Sequence, residues 1–201
     1  RSGPVIAQLY GEVHMSHVLV AYVSHSGSTG EMAEHIGREL RTLGHEVDVI
    51  SASDVKEMVA YDAVIAGALL YRFGWHPDMV GFLERYRSVL QNKPTWLFVT
   101  GLRYAVEDDA AGMPCPVHID PGASGNRSDG ALIGALRNAL PLIESIGPRS
   151  LAYFRGKIDM AVLSTAEKAI LWILLRVMRR SAGDYRNWEG LSSWVRSLDI
   201  P

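Results

Sequence analysis

The stretch from Val18 to Ile36 places a strand directly before a helix, with one short polar turn between them. Residues 18–23 are continuously apolar, as expected of a strand that is covered on both faces. Residues 24–30 follow with the sequence SHSGSTG, and apolar residues then recur at the spacing of one helix face: Met32, Ile36, Leu40 and Leu43. A buried strand that turns at once into an amphipathic helix opens a βαβ unit, so this stretch predicts an α/β fold.

The turn has the composition of a phosphate-binding loop. Gly27 and Gly30 allow a close approach of the backbone, the first-turn amides of the helix point outward, and four hydroxyls can donate hydrogen bonds. Because the turn contains no Lys or Arg, uncharged donors would carry the interaction, which suits a tightly held monophosphate. The alternative is a plain Ser/Gly turn with a Ser or Thr helix cap.

Other phosphate-binding motifs do not match. A nucleoside triphosphatase loop requires Lys before its final hydroxyl residue, and no Lys lies between Ser24 and Gly37. The dinucleotide fingerprint requires three glycines in the pattern G-x-G-x-x-G, which this turn lacks. A cysteine phosphatase loop is excluded because the only cysteine is Cys115, and a phospho-receiver site lacks its acidic cluster, since the third expected strand ends in Ala66-Gly67.

Composition favours one α/β domain without nucleic-acid binding. The 201 residues suit one domain, and a net charge of −2 argues against a nucleic-acid partner. Residues 149–201 carry nine basic and five acidic groups, a net charge of +4, so residues 1–148 carry −6. A single cysteine suits a reducing compartment. Residues 1–15 are expected to be a leader or an expression scar, because they lack the apolar region of a secretory signal, and residues 16–201 form the domain.

Strands and helices alternate along the rest of the chain, which predicts a parallel sheet with helices on both faces. We expect further strands at 46–50, 63–67, 95–100 and 150–154, and helices at 77–90 and at 131–146, the latter bent by Pro141. Residues 102–128 contain three Gly and three Pro and are expected to form a long loop, which could cover a ligand.

Three segments should meet at the carboxyl edge of such a sheet, where ligands bind. They are Ser24–Thr29, Ala68–His76 and Thr100–Tyr104, and the second is rich in aromatic residues. A phosphate loop that faces aromatic and apolar segments suits a flat aromatic ring on a phosphorylated tail. Ordinary packing at the sheet edge is the alternative for these aromatic residues.

The segment from Val20 to Ile36 resembles the flavodoxin signature, with Tyr22, Ser24, Gly27, Thr29 and Ala33 in place and Ala21 as a small departure. Within that family the chain is most similar to the menaquinone-dependent protoporphyrinogen IX dehydrogenase group. The matching residues are Tyr61-Asp62, Gly67-Ala68, His76 and the tail residues Asp184 and Asn187-Trp188-Glu189. The resemblance covers residues 17–196.

This resemblance implies a three-layer flavodoxin-like sandwich with a five-stranded parallel sheet, order 2-1-3-4-5, that binds FMN. The residues that would hold the phosphate are Ser24, His25, Ser26, Gly27, Ser28 and Thr29. Those that would flank the isoalloxazine are Ala68, Leu69, Leu70, Tyr71, Arg72, Gly74, Trp75, Thr100, Gly101 and Leu102. Tyr71 and Trp75 are the candidates to stack on the ring, and Arg72 and Arg103 either lie near it or face solvent.

The function that follows is an FMN-dependent oxidoreductase that passes electrons from a reduced organic substrate to a quinone-type acceptor. We name no catalytic side chain, because the reaction would occur on the flavin; His25 and His76 are the nearest titratable groups. The alternatives are a flavodoxin-type electron carrier and a flavin- or deazaflavin-binding protein without turnover. Carriers of this type are usually strongly acidic, so the small net charge favours the enzyme.

Residues 166–180, AEKAILWILLRVMRR, predict a helix that is apolar around its whole centre and ends in Arg176, Arg179 and Arg180. Such a helix must be covered. Three interpretations remain open: packing on the sheet, a homodimer interface, and peripheral contact with the inner membrane, where the cations would meet anionic headgroups. The segment is too short to span a bilayer, so we expect a cytoplasmic protein.

Overall fold

The computed structural model describes residues 15–71, 74–102, 105, 110–124, 132–158 and 182–201. Its elements are, in chain order, β1 (His17–Val23), α1 (Ser28–Thr42), β2 (Glu46–Ser51), β3 (Ala63–Tyr71), β4 (Gly74–Trp75), α2 (Pro77–Leu90), β5 (Thr95–Gly101), β6 (Val117–Ile119), α3 (Leu132–Ala135), α4 (Leu140–Ile146), β7 (Ser150–Arg155), β8 (Lys157–Ile158), β9 (Gly183–Asp184) and α5 (Trp188–Arg196). Of the leader expected at residues 1–15, all but Met15 lies outside the described residues, and so does the helix expected at 166–180.

The parallel strands follow the order β2-β1-β3-β5-β7-β6. The first five of these reproduce the predicted order 2-1-3-4-5, and the α/β flavodoxin-like fold is confirmed. Over the described residues the sheet nevertheless has seven strands rather than five, because β6 adds a parallel edge strand and β4 pairs antiparallel with β3. The long loop expected over residues 102–128 is therefore wrong at residues 117–119, which form β6. The sequence did not indicate this strand, because three residues among glycines and prolines are too few to show an alternating pattern.

Side chains alternate along the strands and supply a core on each face of the sheet. On one face Leu19, Val64 and Tyr153 pack with residues of α2 and α4, including Leu83 and Ile143. On the other face the strand residues Val20, Phe98 and Phe154 pack with helix residues that include Met32 of α1 and Trp194 of α5. Helices α1 and α5 are in contact, so the C-terminal helix lies beside the helix that follows the Ser/Gly turn.

Two local expectations differ from the structure. Leu43 was placed on the apolar face of α1, but its side chain is 40% exposed and it follows the last turn, before the positive-φ residue Gly44. The helix expected over residues 131–146 is two short helices, α3 and α4, and Pro141 lies in the first turn of α4 rather than at a bend. Proline is favoured there because that N–H would have no helical acceptor.

Within the described residues, no helix is both long and apolar enough to cross a membrane. The short strands β8 and β9 pair antiparallel, with Lys157 opposite Asp184. The chain therefore leaves the sheet after β7 and returns to nearly the same place at residue 183.

Candidate functional site

The Ser/Gly turn lies at the end of β1 and positions the start of α1. Gly27 adopts a left-handed conformation with φ of +88°, which an L side chain rarely accepts. Its carbonyl accepts the first helical hydrogen bond from the Glu31 amide at 3.0 Å. The N–H groups of Ser28, Thr29 and Gly30 precede that bond and so lie outside the regular helical ladder.

The start of α1 differs from the starts of α2 and α5. In α2 the His76 ring accepts a hydrogen bond from the Asp78 amide, and in α5 the Asn187 side chain accepts one from Gly190. At α1 no side chain of the described residues caps the first turn. The first-turn amides and the positive end of the helix dipole are therefore available to an anion. The alternative of a Ser or Thr cap is wrong.

Ser24 adds a second donor at this position. Its Oγ is buried and has no hydrogen-bond partner among the described residues. A buried hydroxyl without a partner costs free energy, and a bound phosphate oxygen would supply the missing acceptor. Ser26 and Ser28 are half-buried and His25 is exposed, so the turn also presents hydroxyls near its surface. The residues that are present fit a phosphate monoester.

Thr29 has a different position from the serines. Its side chain is buried, and its Oγ1 lies 3.2 Å from Oγ1 of Thr100, which is also buried. This pair ties the first turn of α1 to the end of β5. A phosphate would meet Thr29 through its backbone N–H, while the hydroxyl joins two of the three expected site segments.

The strand register brings the three segments together. Val23 pairs with Ala68, and Leu69 pairs with Thr100, so the ends of β1, β3 and β5 are adjacent. The second segment is not a simple loop, because β3 continues through Tyr71 and returns as β4. Gly101, the second residue of the third segment, ends β5, and a Cβ at that position would overlap the Tyr153 hydroxyl. Leu102 beside it is half-buried.

Trp75 was a candidate to stack on a ring, but its side chain is only 1% exposed and belongs to the core. Its indole N–H donates to the Ala68 carbonyl at 3.2 Å, and the Asn138 side chain binds both backbone groups of Trp75. The structure thus offers no open face of this indole to a ligand. The side chain of Tyr71, together with Arg72 and Arg103, lies outside what the structure describes, so their roles stay predictions.

Two arginines that sequence reasoning missed reach the carboxyl edge. Arg155 at the end of β7 is buried, pairs in register with Gly101, and places its guanidinium 4.2 Å from the Tyr185 ring. Arg186 follows β9 and contacts the first turn of α1 through Ser28 and Glu31. No local pattern marks either residue at this edge, because the residues that it meets there, Gly101 for Arg155 and Ser28 and Glu31 for Arg186, lie far away along the chain.

A buried polar cluster lies at the end of β6. Asp120 is fully buried, and its Oδ1 accepts a hydrogen bond from the Asn187 side chain at 2.9 Å. Burial raises the pKa of Asp120 and lowers that of His118, two residues earlier. Asp120 Oδ2 and His118 Nε2 are both buried without a hydrogen-bond partner among the described residues. The cluster joins the edge strand to α5.

Two further titratable residues, His76 and Cys115, have structural roles. His76 caps α2, as described above, so its ring is committed to the helix start. Cys115 packs against the core, and burial raises the pKa of its thiol to about 11. A thiol of that pKa stays protonated at neutral pH, so Cys115 is poorly suited to nucleophilic or redox chemistry. No group of three metal-ligating side chains occurs in the described part of the chain.

Comparison with known proteins agrees with this architecture. The chain is similar to a short-chain flavodoxin associated with a bacterial microcompartment, with 12% sequence identity and a TM-score of 0.52. The match covers 92% of this chain and 97% of that flavodoxin. The chain is also similar to an NADH:FMN oxidoreductase, with 11% identity and a TM-score of 0.51, and that match covers 93% of this chain and 92% of the oxidoreductase. Rubredoxin oxygen oxidoreductase from Desulfovibrio gigas is 16% identical with a TM-score of 0.46, and the chain spans only 36% of it.

No curated protein sequence matches the chain significantly. The structural matches share little sequence, and therefore show the fold alone. The family model described as "Flavodoxin domain" matches residues 19–184, which is most of the chain and includes the Ser/Gly turn, all three strand-end segments and Asp184. The chain therefore belongs to the flavodoxin family.

Proposed function

We propose that the protein binds one FMN and acts as an oxidoreductase. The observation that carries this proposal is the uncapped start of α1 beside the unpartnered Ser24 hydroxyl. This place lies between β1 and β3, where the chain reverses its direction across the sheet, since β2 lies on the other side of β1. Open α/β sheets bind ligands at that position.

The phosphate would be held by the Ser24, Ser26 and Ser28 hydroxyls and by the amides from Gly27 to Thr29. The ring would lie against the ends of β3 and β5, where the Thr29–Thr100 pair fixes the distance between phosphate loop and ring segments. FMN supplies the one- and two-electron chemistry, and the protein contributes orientation, exclusion of water and charge. Arg155 is a buried cation on the neighbouring strand and would favour an anionic reduced ring.

For the reaction we propose electron transfer from a reduced organic substrate to a quinone-type acceptor, similar to the protoporphyrinogen dehydrogenases. The tail resemblance supports this, because Asn187-Trp188 forms the start of α5 as part of the same domain. The charge pattern also supports it, since the C-terminal quarter is basic and the whole chain is only weakly acidic. An electron carrier, or a flavin- or deazaflavin-binding protein without turnover, is the second candidate, favoured by the likeness to a short-chain flavodoxin.

The segment 166–180 is proposed to meet a membrane surface or a second copy of the chain. Its sequence is apolar and ends in cations. Strand β8 precedes it in the chain and begins two residues after Arg155, which pairs with Gly101 at the carboxyl edge. Gly156, just before β8, donates its N–H to the Gly101 carbonyl at 2.9 Å, so the described chain that precedes the segment lies beside the proposed ring site. A quinone dissolved in lipid would reach the flavin most directly from there.

The first experiment identifies the ligand. Purified protein should absorb in the flavin bands, and mass spectrometry of the released ligand should give FMN. Ser24→Ala should weaken FMN binding severalfold and leave riboflavin binding nearly unchanged, because riboflavin has no phosphate. Ser53→Ala, an exposed serine in the turn after β2, is the matched control. A colourless protein that binds neither flavin would end the proposal.

The second experiment separates the two candidate functions. The reduced protein is mixed with a quinone analogue and, in parallel, with an oxidised electron-transfer protein, and its reoxidation is followed by absorbance. Fast reoxidation by the quinone alone supports the enzyme. Fast reoxidation by the protein alone supports the carrier.

A further inference from the structure

We propose that Arg186 is a positioning residue for the phosphate loop. It allows the loop to bind a dianionic phosphate by compensating the charges of Glu31, in the first turn of α1, and of Asp184, in β9. The inference rests on the proposed function and deepens it, because it assigns the discrimination between phosphorylated and unphosphorylated flavin to a residue outside the loop.

The contacts of Arg186 define this role. Its Nη1 donates to Glu31 Oε2 at 2.6 Å, and its Nη2 and Nε donate to the two oxygens of Asp184 at 2.6 and 2.8 Å. Nη1 also lies 3.4 Å from the Ser28 carbonyl, which belongs to the turn itself. The guanidinium stacks at 4.5 Å on the Trp188 ring, and its side chain is only 4% exposed.

The charges explain why this arrangement affects an anion. Glu31 lies in the first turn of α1, within one screening length of the amides that would bind a phosphate. The hydrogen bonds from Arg186 lower the pKa of Asp184, and those to Asp184 and Glu31 raise the pKa of Arg186, so this ion pair persists at neutral pH. The formal charges of Arg186, Asp184 and Glu31 sum to −1, whereas the two carboxylates without the arginine would sum to −2 beside the phosphate.

A purely mechanical role predicts something different. Arg186 joins the C-terminal segment to α1, so its loss could loosen the loop for every flavin. Charge compensation instead changes the binding of the phosphate and leaves the ring contacts alone. A comparison of FMN with riboflavin separates the two roles.

The test uses the full-length protein freed of bound flavin. Arg186→Met should lower FMN affinity about tenfold or more and change riboflavin affinity less than about twofold. Arg186→Lys should fall between Met and wild type, because it keeps the charge but loses the fork of donors. Glu31→Gln should tighten FMN binding, and Glu31→Gln with Arg186→Met should recover part of the loss.

The control is Arg196→Met. Arg196 also pairs with a glutamate of α1, Glu39 at 3.4 Å, but does so at the exposed far end of α5. This variant should leave the affinity for both flavins unchanged. Glu31 is exposed, so Glu31→Gln will fold even if Arg186→Met does not, and it tests the sign of the charge effect by itself.

The outcomes are distinct. Equal losses for FMN and riboflavin in Arg186→Met, or weaker FMN binding by Glu31→Gln, overturn the role of Arg186 while the flavin site stands. Failure of the wild type to bind either flavin overturns the proposed function and this role together.

Discussion

The loop at residues 24–29 and the segment at residues 183–190 lie side by side at one edge of the sheet, but their structures are specified in different ways. The loop depends on neighbours in the chain, since Gly27 turns the backbone and the amides that follow it begin α1. The segment depends on distant partners, because Arg186 binds Glu31 and Asn187 binds Asp120, 67 residues away. A site of this kind combines a local motif with a support that only the complete fold provides.

The largest expected effect comes from the distant region. A Cβ on Gly190 would approach Asp120 Oδ1 to 1.9 Å and the Asn187 side-chain nitrogen to 2.5 Å. Gly190→Ala should therefore separate the two side chains, leave a buried carboxylate poorly paired, and lower the free energy of unfolding by about 3 kcal/mol. Chemical denaturation followed by circular dichroism measures this change.

Gly81→Ala is the matched control for that variant. Gly81 is also helical, but it is exposed and a Cβ there would meet nothing within 4 Å. Alanine should raise stability by up to about 1 kcal/mol, since it has the higher helix propensity. Equal stability of the two variants would show that the Asp120–Asn187 joint contributes nothing, and the comparison between local and distant support would lose its basis.

The sequence predicts the local region well for a physical reason. A strand of apolar residues, a glycine turn and a helix with a 3.6-residue repeat each leave a pattern within a few positions, and β1, the turn and α1 lie where those patterns indicate. Arg155 and Arg186 leave no such pattern, because a charged residue at the end of a strand or in a loop looks the same whether it is buried or solvated. Only the tertiary contacts, with Tyr185 for Arg155 and with α1 for Arg186, decide it.

The second effect tests the turn itself. Gly27→Ala places an L side chain at φ of +88° with no atom in its way, so the cost is backbone strain alone, about 1–2 kcal/mol. Gly27→Asn should cost less, since Asn tolerates this conformation. Thermal unfolding of the two variants measures the difference. If alanine and asparagine are equally harmless, the turn is not held in the left-handed conformation.

The third effect concerns the contact that joins the loop to β5. Thr29→Val or Thr100→Val leaves the other hydroxyl buried without its 3.2 Å partner, whereas the double variant removes both groups. The double variant should therefore be more stable than the sum of the single changes predicts, by about 1 kcal/mol. Denaturation of all four proteins gives this coupling energy, and a value near zero would mean that the two hydroxyls do not interact.

Trp75 and β6 show where a local pattern gives the wrong answer. An aromatic residue after a strand fits a ring-binding role, yet the antiparallel turn into β4 directs Trp75 into the core, where Asn138 binds its backbone. In β6 the pairing with β7 makes the strand, and three residues between glycines and prolines are too few to show alternation. In both cases contacts across the sheet outweigh local preference.

The smallest expected effect is the pH dependence of the joint between β6 and α5. Burial raises the pKa of Asp120, while the hydrogen bond from Asn187 opposes that shift. The folded protein therefore holds a proton more tightly than the unfolded chain, so this contribution to stability is present below about pH 4 and is lost as the pH rises through the folded pKa. The unfolding free energy of the wild type, minus that of Asp120→Asn, should fall with rising pH above pH 4.

The pKa of His118 is shifted in the opposite direction, so a His118→Gln control should show the opposite slope below about pH 6.5. A difference that does not change with pH for Asp120→Asn would show that the carboxylate is solvated. The Asp120–Asn187 contact between β6 and α5 would then be weaker than its geometry indicates.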